Sequence, residues 1–189
     1  MKKNPALAGF VYSVLATVLA FGIYFLFLEK ENYYIVDNPT PETFYFKINN
    51  DDEKILTAGQ YVKVDLDKGK NTIKVLNEDK KILMDSTFEV KKLRGLINIS
   101  LSDYYVHRQY YGYNLNKDSL LVALGQTEID GEMYYGAPKH IKRLYTEDFY
   151  YNIDENYDKI IKNIDKIESR TKIFRKQDFL NYYKEYYKF

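Results

Sequence analysis

The chain carries two hydrophobic patterns: no charge from Asn4 to Leu28, then a charge every few residues to the end. The first is a run of 25 residues, preceded by Met1-Lys2-Lys3 and followed by Glu29-Lys30-Glu31. It lacks the polar stripe of a soluble amphipathic helix. At about 1.5 Å per residue it exceeds the ~30 Å hydrocarbon core, for which about 20 residues suffice. A cleaved signal has an apolar core of about 7–15 residues before a small-x-small site. Here Ala20-Phe21-Gly22 is followed by six more apolar residues, Ile23 to Leu28. The pattern predicts a cytoplasmic tip (1–3) and a transmembrane signal anchor (4–28). Lys2 and Lys3, against Lys30 between two glutamates, place the bulk of the chain outside the cytoplasm. That describes a single-pass protein of a bacterial inner membrane, contacting the bilayer through residues 4–28.

Residues 33–113 read as a β-rich domain. Phe44, Phe46 and Ile48 alternate with polar neighbours, and the turn cluster Asn49-Asn50-Asp51-Asp52 follows. Alternation returns at 61–66 and 72–75, with Gly69 suited to a positive φ in the turn between them. Further strands are expected at 81–84, 87–90 and 96–101. Phe44, Phe46, Val62, Val64, Ile73 and Val75 are the expected core. Short strands separated by turn signals imply an antiparallel, sandwich-like domain.

Residues 114–189 read as a hairpin plus two helices packed on the β domain. Asp130-Gly131 is a two-residue hairpin signal. Tyr157, Ile160, Ile161, Ile164 and Ile167 recur at helical spacing, predicting a helix over 154–168 that ends at Ser169-Arg170-Thr171. Phe179, Leu180, Tyr183, Tyr186 and Tyr187 predict a second over about 177–187. The expected fold is thus one transmembrane helix, a mainly-β domain and a C-terminal helical appendage, α+β overall.

Past the anchor region 26 basic residues face 27 acidic ones, which argues against a nucleic-acid surface. The chain has no Cys, which excludes a disulfide framework and thiol chemistry. Tyrosine is abundant, with 21 Tyr and no Trp. Heavy Lys, Asn, Ile, Tyr and Phe usage fits an A/T-rich genome; surface tyrosines also suit binding surfaces.

Asn38-Pro39-Thr40-Pro41-Glu42 through Lys91 resembles PEGA-type modules, small β domains of bacterial envelope proteins. Pro41-Glu42 falls on the name-giving motif, with Thr43 and Phe44 where that family has Gly and Ala. Leu66, Gly69, Ile73 and Val75 follow its later pattern of a Gly turn before an alternating strand. The resemblance implies an extracytoplasmic, non-enzymatic interaction domain and brings no catalytic residues.

Catalytic signatures are sparse. Neither His107 nor His140 has a His, Asp or Glu three or four residues on, the spacing of a helical metal site. No Gly-x-Ser-x-Gly is present, and Ser86 and Ser119 read as turn or strand-edge residues. Asp65-x-Asp67-x-Gly69 opens like a calcium loop without its closing Glu and reads as a hairpin turn. Asp51-Asp52-Glu53 reads as a solvated turn. Asn98-Ile99-Ser100 has the form of a glycosylation sequon within a strand. No catalytic, cofactor or metal residue is assigned.

The candidate partner-binding residues are therefore aromatic: Tyr104, Tyr105, Tyr110, Tyr111, Tyr183, Tyr186 and Tyr187. On a strand one tyrosine of each adjacent pair should point inward and the other outward. The leading expectation is a membrane-anchored, non-enzymatic module of the envelope that binds a protein partner. A membrane-tethered hydrolytic enzyme and a small-ligand or glycan sensor are the alternatives.

Overall fold

The structure, a computed structural model, describes residues 5–24, 32–111, 119, 122–158 and 168–186. The chain divides into two compact units, Met1–Glu31 and Asn32–Phe189.

The first unit contains helix α1 (Pro5–Ile23), which carries no acidic residue in its first turn and no basic one in its last. Its described side chains include exposed Phe10, Tyr12, Leu15, Val18 and Leu19. Among the described residues, no helix is long and apolar enough to cross a membrane. Within the expected span 4–28, Pro5–Ile23 is helical, and Asn4 and residues 25–28 lie outside the described residues.

The second unit is mainly β. Its first sheet contains β1 (Tyr33–Asp37), β4 (Tyr61–Val64), β7 (Arg94–Asn98) and β12 (Tyr145–Thr146), in the order β12-β7-β1-β4. The second contains β2 (Phe44–Ile48), β3 (Lys54–Leu56), β5 (Gly69–Leu76) and β6 (Ile82–Val90), in the order β3-β2-β5-β6. The third sets β8 (Tyr104–Tyr111) between β11 (Lys139–Ile141) and β13 (Glu168–Arg175). β9 (Gln126–Ile129) and β10 (Glu132–Tyr135) form a hairpin, and helix α2 (Lys176–Tyr186) follows β13 directly.

Packing puts these elements in layers. Tyr34, Val36 and Ile97 of the first sheet meet Phe44, Phe46, Ile73 and Val75 of the second, a face-to-face sandwich core. The other side of the first sheet places Ile35 and Leu96 against Tyr104, Val106 and Ile173 of the third. The far side of the third sheet places Tyr105 and Phe174 against Phe179 and Tyr183 of α2 and Tyr134 of the hairpin. The first sheet is covered on both faces, so Tyr34-Ile35-Val36 is a continuous apolar run rather than an alternating one. Each fully buried apolar side chain here contributes about 1.5–3 kcal/mol.

The expected core holds at Phe44, Phe46, Val64, Ile73 and Val75, with Val62 only partly buried. Asp130 and Gly131 turn the predicted hairpin with φ of 54° and 81°, and Gly69 has a φ of 102°. Buried Asn38 holds the Asn-Pro-Thr-Pro-Glu loop. Its amide donates to Glu42 O (2.7 Å) and Thr57 O (3.0 Å), and its carbonyl oxygen accepts from Thr40 N (3.1 Å).

Several expectations are corrected. Pairing is not purely antiparallel, because β1 and β7 run parallel, Tyr33↔Arg94 through Asp37↔Asn98. Asp65–Lys68 is not a hairpin turn but a passage between sheets, since β4 pairs with β1 and β5 with β2 and β6. Ser86 lies inside the single nine-residue strand β6, opposite Ile73. The predicted strand at 96–101 is β7, ending at Asn98; buried Asn98 donates its side-chain amide to Ser102 O (2.8 Å), so this nitrogen is no glycan acceptor.

The largest correction lies near the C-terminus. Residues 154–158 are not helical, and Glu168–Arg175 is a strand paired antiparallel with all of β8. The predicted helix break Ser169-Arg170-Thr171 is strand interior, and residues 159–167 lie outside the described residues. The second predicted helix is present as α2, packed through Phe179 and Tyr183.

Candidate functional site

Strand alternation sends Tyr105, His107 and Gln109 of β8 toward α2, with Phe174, Lys172 and Arg170 of β13 opposite them. On α2, Phe179 and Tyr183 are four residues apart and buried; Tyr182 and Tyr186, also four apart, form the next stripe and are partly buried. Tyr182, Tyr186 and the segment Asn156-Tyr157-Asp158 enclose, with Lys172 and Phe174, a cleft of about 510 Å³.

Its wall is a column of rings. Phe174 and Tyr182 stack at 5.0 Å, Tyr182 and Tyr186 stack at 5.4 Å, and Tyr157 lies 5.7 Å from Tyr182. Gln109 Nε2 donates to the Tyr186 hydroxyl (3.0 Å), tying the helix to β8. The Tyr157 hydroxyl donates to His107 O (2.9 Å) and lies 3.1 Å from His107 Nδ1. That geometry has Nδ1–H donating to the phenol oxygen, the neutral tautomer. Burial pulls the His107 imidazole down to about 4, which keeps it uncharged.

Lys172 is the cation at the cleft floor. Its ammonium donates to Glu155 O and lies 4.7 Å over the Phe174 ring. Burial lowers its pKa, opposed by the acids Asp178, Asp154 and Glu155. Asp158, Asp178 and Glu185 also line the cleft, so three acids face one lysine. Asp158 is paired with Arg170.

A second buried charge is structural. Asp37, fully buried, accepts from Arg175 through both carboxylate oxygens and from the Tyr104 hydroxyl. Burial is the first cause raising the Tyr104 phenol, the adjacent carboxylate the second. The arrangement clamps β1 to β13 at the start of α2.

The seven candidate tyrosines divide sharply. Tyr104, Tyr105 and Tyr183 are buried, so they are core and not a docking surface. The expectation of one inward and one outward tyrosine fails at Tyr104-Tyr105 because β8 has a layer on both faces. Tyr186 lines the aromatic cleft, and Tyr110 lines a separate cavity on the opposite face of the third sheet. The side chains of Tyr111 and Tyr187 lie outside the described residues. Sequence reasoning missed Tyr157, Lys172, Phe174 and Tyr182. Tyr182 was legible, four residues before Tyr186 on a predicted helix; Lys172 and Phe174 needed the pairing of β13 with β8, and Tyr157 its long-range contacts with His107 and Tyr182.

His140 is surface-exposed and pairs through Nε2 with Asp103 (2.8 Å). Among the described residues no group of three or more His, Cys, Asp or Glu is arranged to hold a metal ion. The chain matches no protein-family model, no curated protein and no solved structure.

Proposed function

We propose that this is a membrane-anchored interaction module of the bacterial envelope that docks a protein partner in the cleft between the third sheet and α2. The single observation that carries the reading is the ring column Phe174–Tyr182–Tyr186, rooted in the core at Phe174 and lining the cleft at Tyr182 and Tyr186. Tyrosine is favoured at interfaces because it joins a large apolar face to a polar tip. Three acids against one lysine favour a partner segment that mixes basic and apolar side chains.

Anchoring rests on the charge-free run Asn4–Leu28, a sequence stretch longer than α1 (Pro5–Ile23). The lysine pair at 2 and 3 supports an outward-facing bulk, single-pass in the inner membrane. The PEGA-like pattern at 38–91 belongs to the same reading, as an extracytoplasmic β module without catalytic residues. The test is a Tyr182→Ser/Tyr186→Ser pair in the full-length chain, purified from native membranes. A partner held by the unaltered chain should be lost, while the double variant keeps the far-UV circular dichroism of the unaltered chain at the assay temperature. Retention of that partner by the double variant defeats the reading.

A further inference from the structure

On the face of the third sheet away from α2, a cavity of about 560 Å³ has Val106 and Thr171 in its lining, with Tyr110 and Leu124 at its sides. Its volume is in the range of small-ligand pockets. Two cations enter it, Arg108 from β8 and Lys139 from β11, and one acid, Asp148.

Asp148 is already claimed. Arg143 Nη2 lies 2.7 Å from its Oδ2, Lys92 Nζ 3.5 Å from Oδ1 and Lys139 Nζ 3.8 Å from Oδ2. One carboxylate is therefore shared among three cations. Arg108 donates one N–H to Ser169 Oγ (3.0 Å) and, among the described residues, has no carboxylate within ion-pair reach. Local charge is positive in a chain whose formal net charge is only +1.

The same cavity has an unusual wall. Gly136 and Ala137 both take left-handed backbone, with φ of 84° and 43°. Both amides are held on Gly125 O, at 3.0 and 3.3 Å. An alanine in that conformation is costly and fixes the turn that borders the cavity.

We infer that this cavity binds an organic anion, a carboxylate on an apolar body. The carboxylate sits against the Arg108 guanidinium, whose fork suits two parallel hydrogen bonds, with Lys139 alongside. The apolar body lies on Val106, Leu124 and the Tyr110 ring. A free small acid and the C-terminal residue of a peptide present the same chemistry. The site lies on the opposite face of the sheet from the aromatic cleft and does not depend on that reading.

Equilibrium dialysis of the full-length chain in nanodiscs, with empty discs subtracted, tests it directly. Benzoate should saturate one site per chain. Benzamide, the neutral isostere, and inorganic phosphate, which lacks the apolar body, should each bind at least ten-fold more weakly. Arg108→Gln should weaken benzoate at least ten-fold with unchanged thermal unfolding, and Lys74→Gln, on the second sheet, should do nothing. A dipeptide with a free carboxylate and an apolar last residue, compared with its amide, separates the sources. Acid tighter than both benzoate and the amide supports a chain terminus; acid no tighter than benzoate supports a small acid. Equal binding of benzoate and benzamide, equal binding of phosphate, no saturation, or an unaffected Arg108→Gln variant overturns the inference.

Discussion

Phe179→Ala tests whether α2 is part of the folded core. Phe179 is fully buried, and the ring centroids of Tyr105, Tyr183, Tyr134, His107 and Phe174 lie 5.4, 5.8, 5.8, 5.9 and 6.1 Å from its own. Removing a buried Phe ring costs about 3–5 kcal/mol, more when the site cannot collapse. These neighbours come from β8, β10, β13 and α2, each fixed by its own pairing or helix, so the cavity stays open and the cost is about 4–5 kcal/mol. In a unit of this size each kcal/mol moves the midpoint by about 2–4 °C, giving a fall of about 8–20 °C. The assay is far-UV circular dichroism of the full chain in nanodiscs, with tyrosine fluorescence as a second probe. A fall under about 2 °C would refute the packing of α2 and with it the far wall of the cleft.

Further outcomes follow from other contacts. Asp37→Ala strands Arg175 beside an apolar layer and should cost about 3–5 kcal/mol in denaturant unfolding, whereas an exposed ion pair such as Lys91–Glu89 should cost under about 1. Gly95→Ala places a Cβ 2.5 Å from the Tyr145 ring, which is packed on Phe88 at 4.9 Å; overpacking of this kind costs about 1–3 kcal/mol, and an unchanged midpoint would show that the ring can swing aside. His107 titrates near 4 when folded against about 6.5 unfolded, so its contribution is intact above pH 6.5 and is lost as pH falls through 4. That loss is about 3 kcal/mol, and His107→Gln should flatten the stability profile between pH 4 and 6.5 relative to the unaltered chain. Carbonate extraction should leave the full chain in the membrane pellet; release into the supernatant would contradict the anchor.

Local signals carried part of this fold. Phe44, Phe46 and Ile48 alternate because one face of the second sheet is core and the other is solvent, so period two survives in the sequence. The Asp130-Gly131 turn is legible for a similar reason: its positive φ values demand particular residues. Tyr104-Tyr105-Val106-His107 has no readable period because both faces of β8 are covered. β13, of which only Glu168 falls in the expected helix and Ser169-Arg170-Thr171 in the expected break, is not legible because its partner β8 lies more than fifty residues away and no local spacing records that pairing. The cleft inherits this difficulty. Lys172 and Phe174 reach it only through the register Lys172↔His107 and Phe174↔Tyr105, while Tyr182 and Tyr186 follow from helical spacing alone.

The proposed docking of a partner in the aromatic cleft puts that partner within reach of Tyr186. A photo-crosslinking amino acid placed at Tyr186 in the full-length chain, in its native membrane, tests it most directly. Lys74, on the second sheet away from the cleft, serves as the control position. Docking in the cleft gives one adduct of constant mass from position 186, absent from position 74 and abolished by Tyr182→Ser. No adduct at 186, or the same adducts from both positions, would contradict it.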